Sequence, residues 1–146
     1  MVRPISPLFP LHENIRSITR IMKKIAIIFV LALVMNWAWE NLHAPLYLDY
    51  QGGEITQLIL LRAAFFDALV VTALGVLVLK FGRMSWAIIA AIIFTITLER
   101  WALATGRWAY GDLMPIVPLL NVGLSPMLQL AVTAYLSLIL VSRLKR

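Results

Sequence analysis

Cysteine is absent from the 146 residues, which excludes disulfides, thiol catalysis, iron–sulfur ligation and cysteine-based zinc sites. Charge is scarce. Only 14% of the residues are Asp, Glu, Lys or Arg, whereas a soluble domain carries about one quarter. There are seven acidic residues and two histidines. Also missing are a phosphate loop, a dinucleotide fingerprint, a zinc-protease motif and the Ser-His-Asp order of serine hydrolases. No low-complexity tract or internal repeat is visible, so an inverted-repeat transporter is not supported.

Apolar sequence is abundant instead. Hydrophobic residues make up 62% of the chain, and mean hydropathy is +0.88. They gather in runs rather than scattering around a core. Crossing a hydrocarbon layer ~30 Å thick takes ~20 helical residues. Four runs are long enough: Ile25 to about Leu42, Leu58 to Leu79, about Ser85 to Leu103, and about Val122 to Val141. None alternates over ~10 residues as barrel strands do. The sequence therefore predicts an all-α, polytopic membrane protein with four transmembrane helices in one domain, residues 22–146.

Residues 1–21 carry Pro4, Pro7, Pro10 and scattered charges, and read as a poorly ordered cytoplasmic tail. Met22-Lys23-Lys24 before Ile25–Met35 resembles the start of a secretory signal. The following Trp37-Ala38-Trp39-Glu40 suits signal peptidase badly, so helix 1 reads as an uncleaved anchor, with Met22 an alternative start.

The net charge of +6 does not point to nucleic acid, because no basic patch with interleaved aromatics exists. The basic residues flank the apolar runs, and the partner they imply is the lipid bilayer. An N-in, C-in topology places Arg3, Arg16, Arg20, Lys23, Lys24, Lys80, Arg83, Arg143, Lys145 and Arg146 inside, ten of the thirteen. It leaves Asp49, Glu54 and Asp112 outside. The short Lys80–Met84 link makes helices 2 and 3 an antiparallel hairpin. On the outer side, Pro45 ends helix 1 and Gly52-Gly53 marks a turn. The later stretch Leu113–Asn121 is apolar but broken by Pro115 and Pro118. It reads either as a lid or as a lead-in to helix 4.

Ionisable residues within spans are costly and face a bundle interior or a wet cavity. Helix rise puts Glu40, Arg62 and Glu99, on three helices, ~8–10 Å above the midplane. Their common depth predicts contact. Asn36, Glu40 and His43 share one helical face. Asp67 and Gln129 lie nearer the centre, and Asn36 is the expected partner of Asp67. Glu40-x-x-His43 is half of a di-iron motif, but the only other histidine, His12, is in the tail, so neither a metal nor a cofactor is expected. Trp37, Trp39, Trp101, Trp108, Tyr47, Tyr50 and Tyr110 read mainly as an interfacial belt. Ala64, Ala68, Thr72 and Gly75 form a close-packing stripe on helix 2. The polar set is either a structural network or a functional pocket.

Asn36-x-x-Trp39-Glu40 followed by Pro45-Leu46-Tyr47 resembles a group of small, uncharacterised bacterial four-helix inner-membrane proteins. Trp108-x-Tyr110, Met114-Pro115 and Gly123-Leu124-x-Pro126-x-x-Gln129 fit the same group. The resemblance covers about residues 22–142 and implies the bacterial cytoplasmic membrane as location, without implying an activity. A shorter stretch, Glu99 through Gly106 and Tyr110 to Val117-Pro118-Leu119, is similar to outer segments of membrane carotenoid hydratases, which implies an apolar isoprenoid ligand.

Three functional expectations follow. The first is a pocket facing the outer leaflet that binds or modifies an amphiphilic lipid or isoprenoid. Glu40, Glu99 and Arg62 would be its catalytic groups. Asn36, His43, Asp67, Trp108, Tyr110 and Gln129 would bind the ligand, and Trp108–Leu120 would roof it. A carboxyl withdrawn from water holds its proton and can serve as general acid, while Arg62 would keep the other ionised. The second is a small proton-coupled transporter, a homodimer with Asp67 as coupling carboxylate. The third is a non-catalytic subunit bound to another membrane protein.

Overall fold

A computed structural model describes residues 9–144, with side chains from Glu13 onward. Four helices dominate: α1 (Phe9–His43), α2 (Gln57–Phe81), α3 (Met84–Ala104) and α4 (Leu124–Arg143). Four short strands connect them: β1 (Tyr47–Tyr50), β2 (Trp108–Tyr110), β3 (Ile116–Val117) and β4 (Val122–Gly123). Three helices, α2, α3 and α4, are long and apolar enough to cross a membrane.

Two boundaries differ from the sequence reading. α1 begins at Phe9, so residues 9–21 are helical rather than a loose tail. Pro10 falls in the first turn, where a missing N–H breaks no intrahelical bond, and no proline follows until Pro45. The rest of the tail, including Pro4 and Pro7, lies outside the described residues. The second difference is at 113–121, which is neither lid nor helix. Ile116-Val117 pairs with Val122-Gly123 in a small antiparallel ribbon, and α4 starts only at Leu124. Pro115 and Pro118 exclude a helix here. Leu119 and Asn121 take positive φ values of 70° and 54° to close the turn.

α2 begins where the Thr56 hydroxyl caps the Ile59 amide at 3.4 Å. It ends at Gly82, whose φ of 70° suits glycine. The Gly82-Arg83 link returns the chain into α3. α1 packs most extensively on α2, and α3 on α4, with α1–α4 contact joining the two pairs. α2 and α3, although consecutive, touch less. The core is made of Ile28, Ala32, Ala68, Val71, Leu130 and Ala134. Gly75 lets α1 approach closely: a Cβ there would lie 3.1 Å from Ile28 Cδ1. Large apolar side chains face outward instead, including Val34 on α1, Phe65 and Leu69 on α2, Ile93 on α3 and Leu140 on α4. Apolar surface outside and polar groups inside suits a bundle whose solvent is lipid.

One end of the bundle carries all four strands. β1 pairs antiparallel with β2, Tyr47 opposite Tyr110 and Tyr50 opposite Trp108, with an irregularity between Tyr47 and Asp49. This ribbon ties the α1–α2 connection to the α3–α4 connection, which no local pattern announces. Gly111 N to Leu46 O, at 2.8 Å, and Gln51 N to Arg107 O, also at 2.8 Å, extend it at both ends.

Candidate functional site

Beneath the β1–β2 ribbon lies a cavity of about 560 Å³. Its polar floor comes from four helices: Glu40 and His43 (α1), Asp67 (α2), Glu99 (α3) and Gln129 (α4). Its walls are mostly apolar, with Ile59, Leu60, Phe66, Leu98 and Leu130 among them. Phe66 and Trp101, on α2 and α3, are about half exposed, so the cavity's lining reaches the surface along these two helices. There the rings of Phe66 and Phe94 meet, centroids 6.2 Å apart.

Two hydrogen-bonded groups make the floor. In the first, the Gln129 amide nitrogen donates towards Glu40 Oε1 at 2.7 Å, Asp67 Oδ2 at 2.8 Å and Asn36 Oδ1 at 3.2 Å. An amide carries two hydrogens for these three acceptors, so the contacts share them. Thr133 donates to the Gln129 carbonyl at 2.9 Å and fixes this turn of α4. Asn36 donates to the Ala32 carbonyl at 2.9 Å. In the second group, Glu99 accepts from Trp108 Nε1 at 3.2 Å and from the Tyr110 hydroxyl. That hydroxyl accepts in turn from the Gly123 amide at 2.9 Å. The β2 strand thus aims two side chains at one carboxyl, while β4 braces the tyrosine.

Tyr47 stands between the groups. Its ring meets His43 edge-on at 5.3 Å, Trp108 at 6.3 Å and Tyr110 at 5.5 Å. Burial pushes its phenol well above the ordinary tyrosine range, and the neighbouring Glu99, Tyr110, Glu40 and Asp67 push it the same way. Tyr110 is also raised, first by burial and then by its bond to Glu99, while the Gly123 amide pulls against them. Both therefore present neutral hydroxyls.

Most of the residues expected from sequence are brought together here, but two partnerships and the roof differ. Arg62 lines the cavity without meeting Glu40 or Glu99. Its Nη2 donates to the Tyr50 hydroxyl at 3.1 Å, and its side chain is exposed. Staying at the rim keeps the guanidinium solvated, and burial against two carboxyls would forfeit that. Asp67 bonds to Gln129 rather than to Asn36, and its carboxyl also meets that of Glu40 across the α1–α2 contact. The roof is the β1–β2 ribbon, not the Trp108–Leu120 stretch as a whole: Leu113 and Leu119 point outward, 80% and 94% exposed.

The structure also assembles a relay that the chain order hides. Trp39 Nε1 donates to Ser125 Oγ at 3.2 Å, Ser125 Oγ lies 3.1 Å from His43 Nδ1, and His43 Nε2 lies 3.2 Å from Glu40 Oε2. With the proton on Nε2, His43 donates to Glu40 and accepts from Ser125. Ser125 is not among the cavity's lining residues, so the relay orients Glu40 from behind. Ser125, Tyr47 and Arg107 were not singled out as site residues in the sequence. They come from segments far apart in the chain, and only the Asn36–Glu40–His43 face had local spacing to reveal it. Among the described residues no group of three or more His, Asp or Glu is placed to hold a metal ion. No family model, curated protein or solved structure matches the chain.

Proposed function

We propose that the chain is a four-span protein of the bacterial cytoplasmic membrane, related to the small inner-membrane proteins it resembles. Its ribbon-bearing end would face outward, and its cavity would bind an amphiphilic lipid or an isoprenoid. The observation that carries this reading is a cavity whose mostly apolar walls, with half-exposed Phe66 on α2 and Trp101 on α3, stand over a floor of hydrogen-bonded acids. A ligand with an apolar chain and a polar head matches that gradient. One feature supports the orientation and another the fourth span. Lys23, Lys24, Lys80, Arg83 and Arg143 lie at the end opposite the strands. α1 also exposes Ile27, Val30, Val34 and Trp37 along its upper part, as a fourth span would.

If the bound molecule is also transformed, Glu40 and Glu99 are the groups to deliver or accept a proton. Both line the cavity, and each is held by donors on other elements. Glu40→Gln and Glu99→Gln are expected to abolish turnover while the protein still inserts and folds; wild-type turnover in both would remove the catalytic part.

Binding itself is tested by extracting and weighing what co-purifies with the full chain in a mild neutral detergent. Wild type should carry a lipid or isoprenoid at close to one per chain. Ala63 lines the cavity on α2, and Ala63→Phe should displace that molecule without lowering thermal stability. Equal lipid content in wild type and Ala63→Phe would overturn the pocket.

A further inference from the structure

Two guanidiniums line the cavity, those of Arg62 and Arg107. Among the described residues neither is paired with a carboxylate. Arg62 donates to the Tyr50 hydroxyl, and Arg107 lies over the Trp101 ring, 5.0 Å from its centroid. The acids of the floor meet Gln129, Trp108, Tyr110 and His43 instead, and Asp67 and Glu40 also meet one another. On α2 alone, Arg62 sits about 7 Å nearer the strand-bearing end than Asp67, at 1.5 Å of rise per residue.

Both arginines are tied to the end of β1, Arg62 through its side chain and Arg107 through its backbone. Tyr50 ends β1 and holds Arg62, while the next residue, Gln51, bonds through its amide to the Arg107 carbonyl. One carboxylate shares this rim. Asp49 lines the cavity as well, but its Oδ1 accepts from the Gly52 amide at 2.8 Å and shapes the turn. It forms no ion pair with either arginine. Two unpaired forks beside an apolar slot match an anionic head attached to an apolar chain, and a guanidinium fits phosphate oxygens in pairs.

We propose that the cavity mouth recognises a lipid phosphate. Arg62 and Arg107 would clasp the phosphate, and the chain would lie in the slot between α2 and α3. This rests on the amphiphile reading above and narrows it to an anionic head.

The test uses the full chain in a maltoside detergent, with quenching of tryptophan fluorescence as readout, since Trp101 and Trp108 line the site. The probes are dodecyl phosphate, dodecanol and inorganic phosphate. Dodecyl phosphate should bind more tightly than dodecanol. Arg62→Ala and Arg107→Ala should each weaken it by about tenfold, the scale of a lost charge-assisted contact. Dodecanol affinity should not change in either variant. Dodecanol binding as tightly as dodecyl phosphate, with neither arginine mattering, overturns the phosphate head but leaves the apolar cavity. Inorganic phosphate binding as tightly as dodecyl phosphate overturns the lipid as its source. Failure of all three probes, with no effect of Ala63→Phe on co-purified lipid, removes both this inference and the reading beneath it.

Discussion

Gln129 is the residue on which the floor turns. It reaches from α4 to acceptors on α1 and α2, and it is nearly fully buried. Replacing it with leucine keeps the volume but removes the donor from two carboxyls and an amide. Asn36 keeps Thr133 as a donor at 3.3 Å, but each carboxyl oxygen left without its donor costs about 1–3 kcal/mol. Gln129→Leu should therefore lower thermal stability in detergent by several degrees, whereas a change at exposed Leu128 should not. Tyr110 offers a different test. Its phenol and that of Tyr47 are raised by burial in the folded chain. Below the ordinary tyrosine value near pH 10 both are neutral whether folded or not, and their contribution is intact. Above that value the unfolded chain releases these protons first, so stability is lost as pH climbs towards the folded values. Thermal melts from pH 8 to 11 should show a steepening loss above pH 10. Tyr110→Phe should start about 1–2 kcal/mol lower, having lost two hydrogen bonds, and fall less steeply.

At the scale of elements, much of the architecture was written locally. Long apolar runs located α2, α3 and α4 to within a few residues, because a span must hide its backbone inside a helix. The four- and three-residue spacing of Asn36, Glu40 and His43 exposed their common face for the same reason. The pairing of β1 with β2 was not legible: Tyr47 and Trp108 are separated by two helices, and short ribbons leave almost no periodic trace. Nor could sequence choose between Glu40 and Tyr50 as the companion of Arg62, since that choice depends on which way a long side chain leaves α2. The helical stretch 9–21 was missed because three prolines suggested disorder, although only Pro10 lies within the described part. The entry to α4 gives a prediction at this scale. A Cβ on Gly123 would sit 2.6 Å from Met114 Sδ and 3.0 Å from Pro126 Cδ. The proline cannot move without shifting the helix. Gly123→Ala should cost about 1–3 kcal/mol and weaken the brace on Tyr110, seen as a lower melting temperature together with changed tryptophan emission from Trp108. Met114→Ala in the same chain should recover part of the loss.

For the molecule as a whole, the lack of cysteine becomes a tool. A single cysteine placed at Gly52 or Asp112 should react with an impermeant maleimide added outside intact cells or spheroplasts. One placed at Gly82 should react only after the membrane is opened. The reverse pattern would invert the proposed orientation, and labelling of both from one side would deny that α2 spans. The β1–β2 ribbon also has a consequence for traffic. Like a stitch across the top of a purse, it fastens the two helical hairpins together over the cavity, while α2 and α3 touch less at the side. If the cavity takes a lipid as proposed, exchange along that seam would bypass water. Loading would then follow the mole fraction of the cargo within the bilayer, and a soluble carrier presenting the same molecule from the aqueous phase would gain no entry until it had first surrendered it to the lipid.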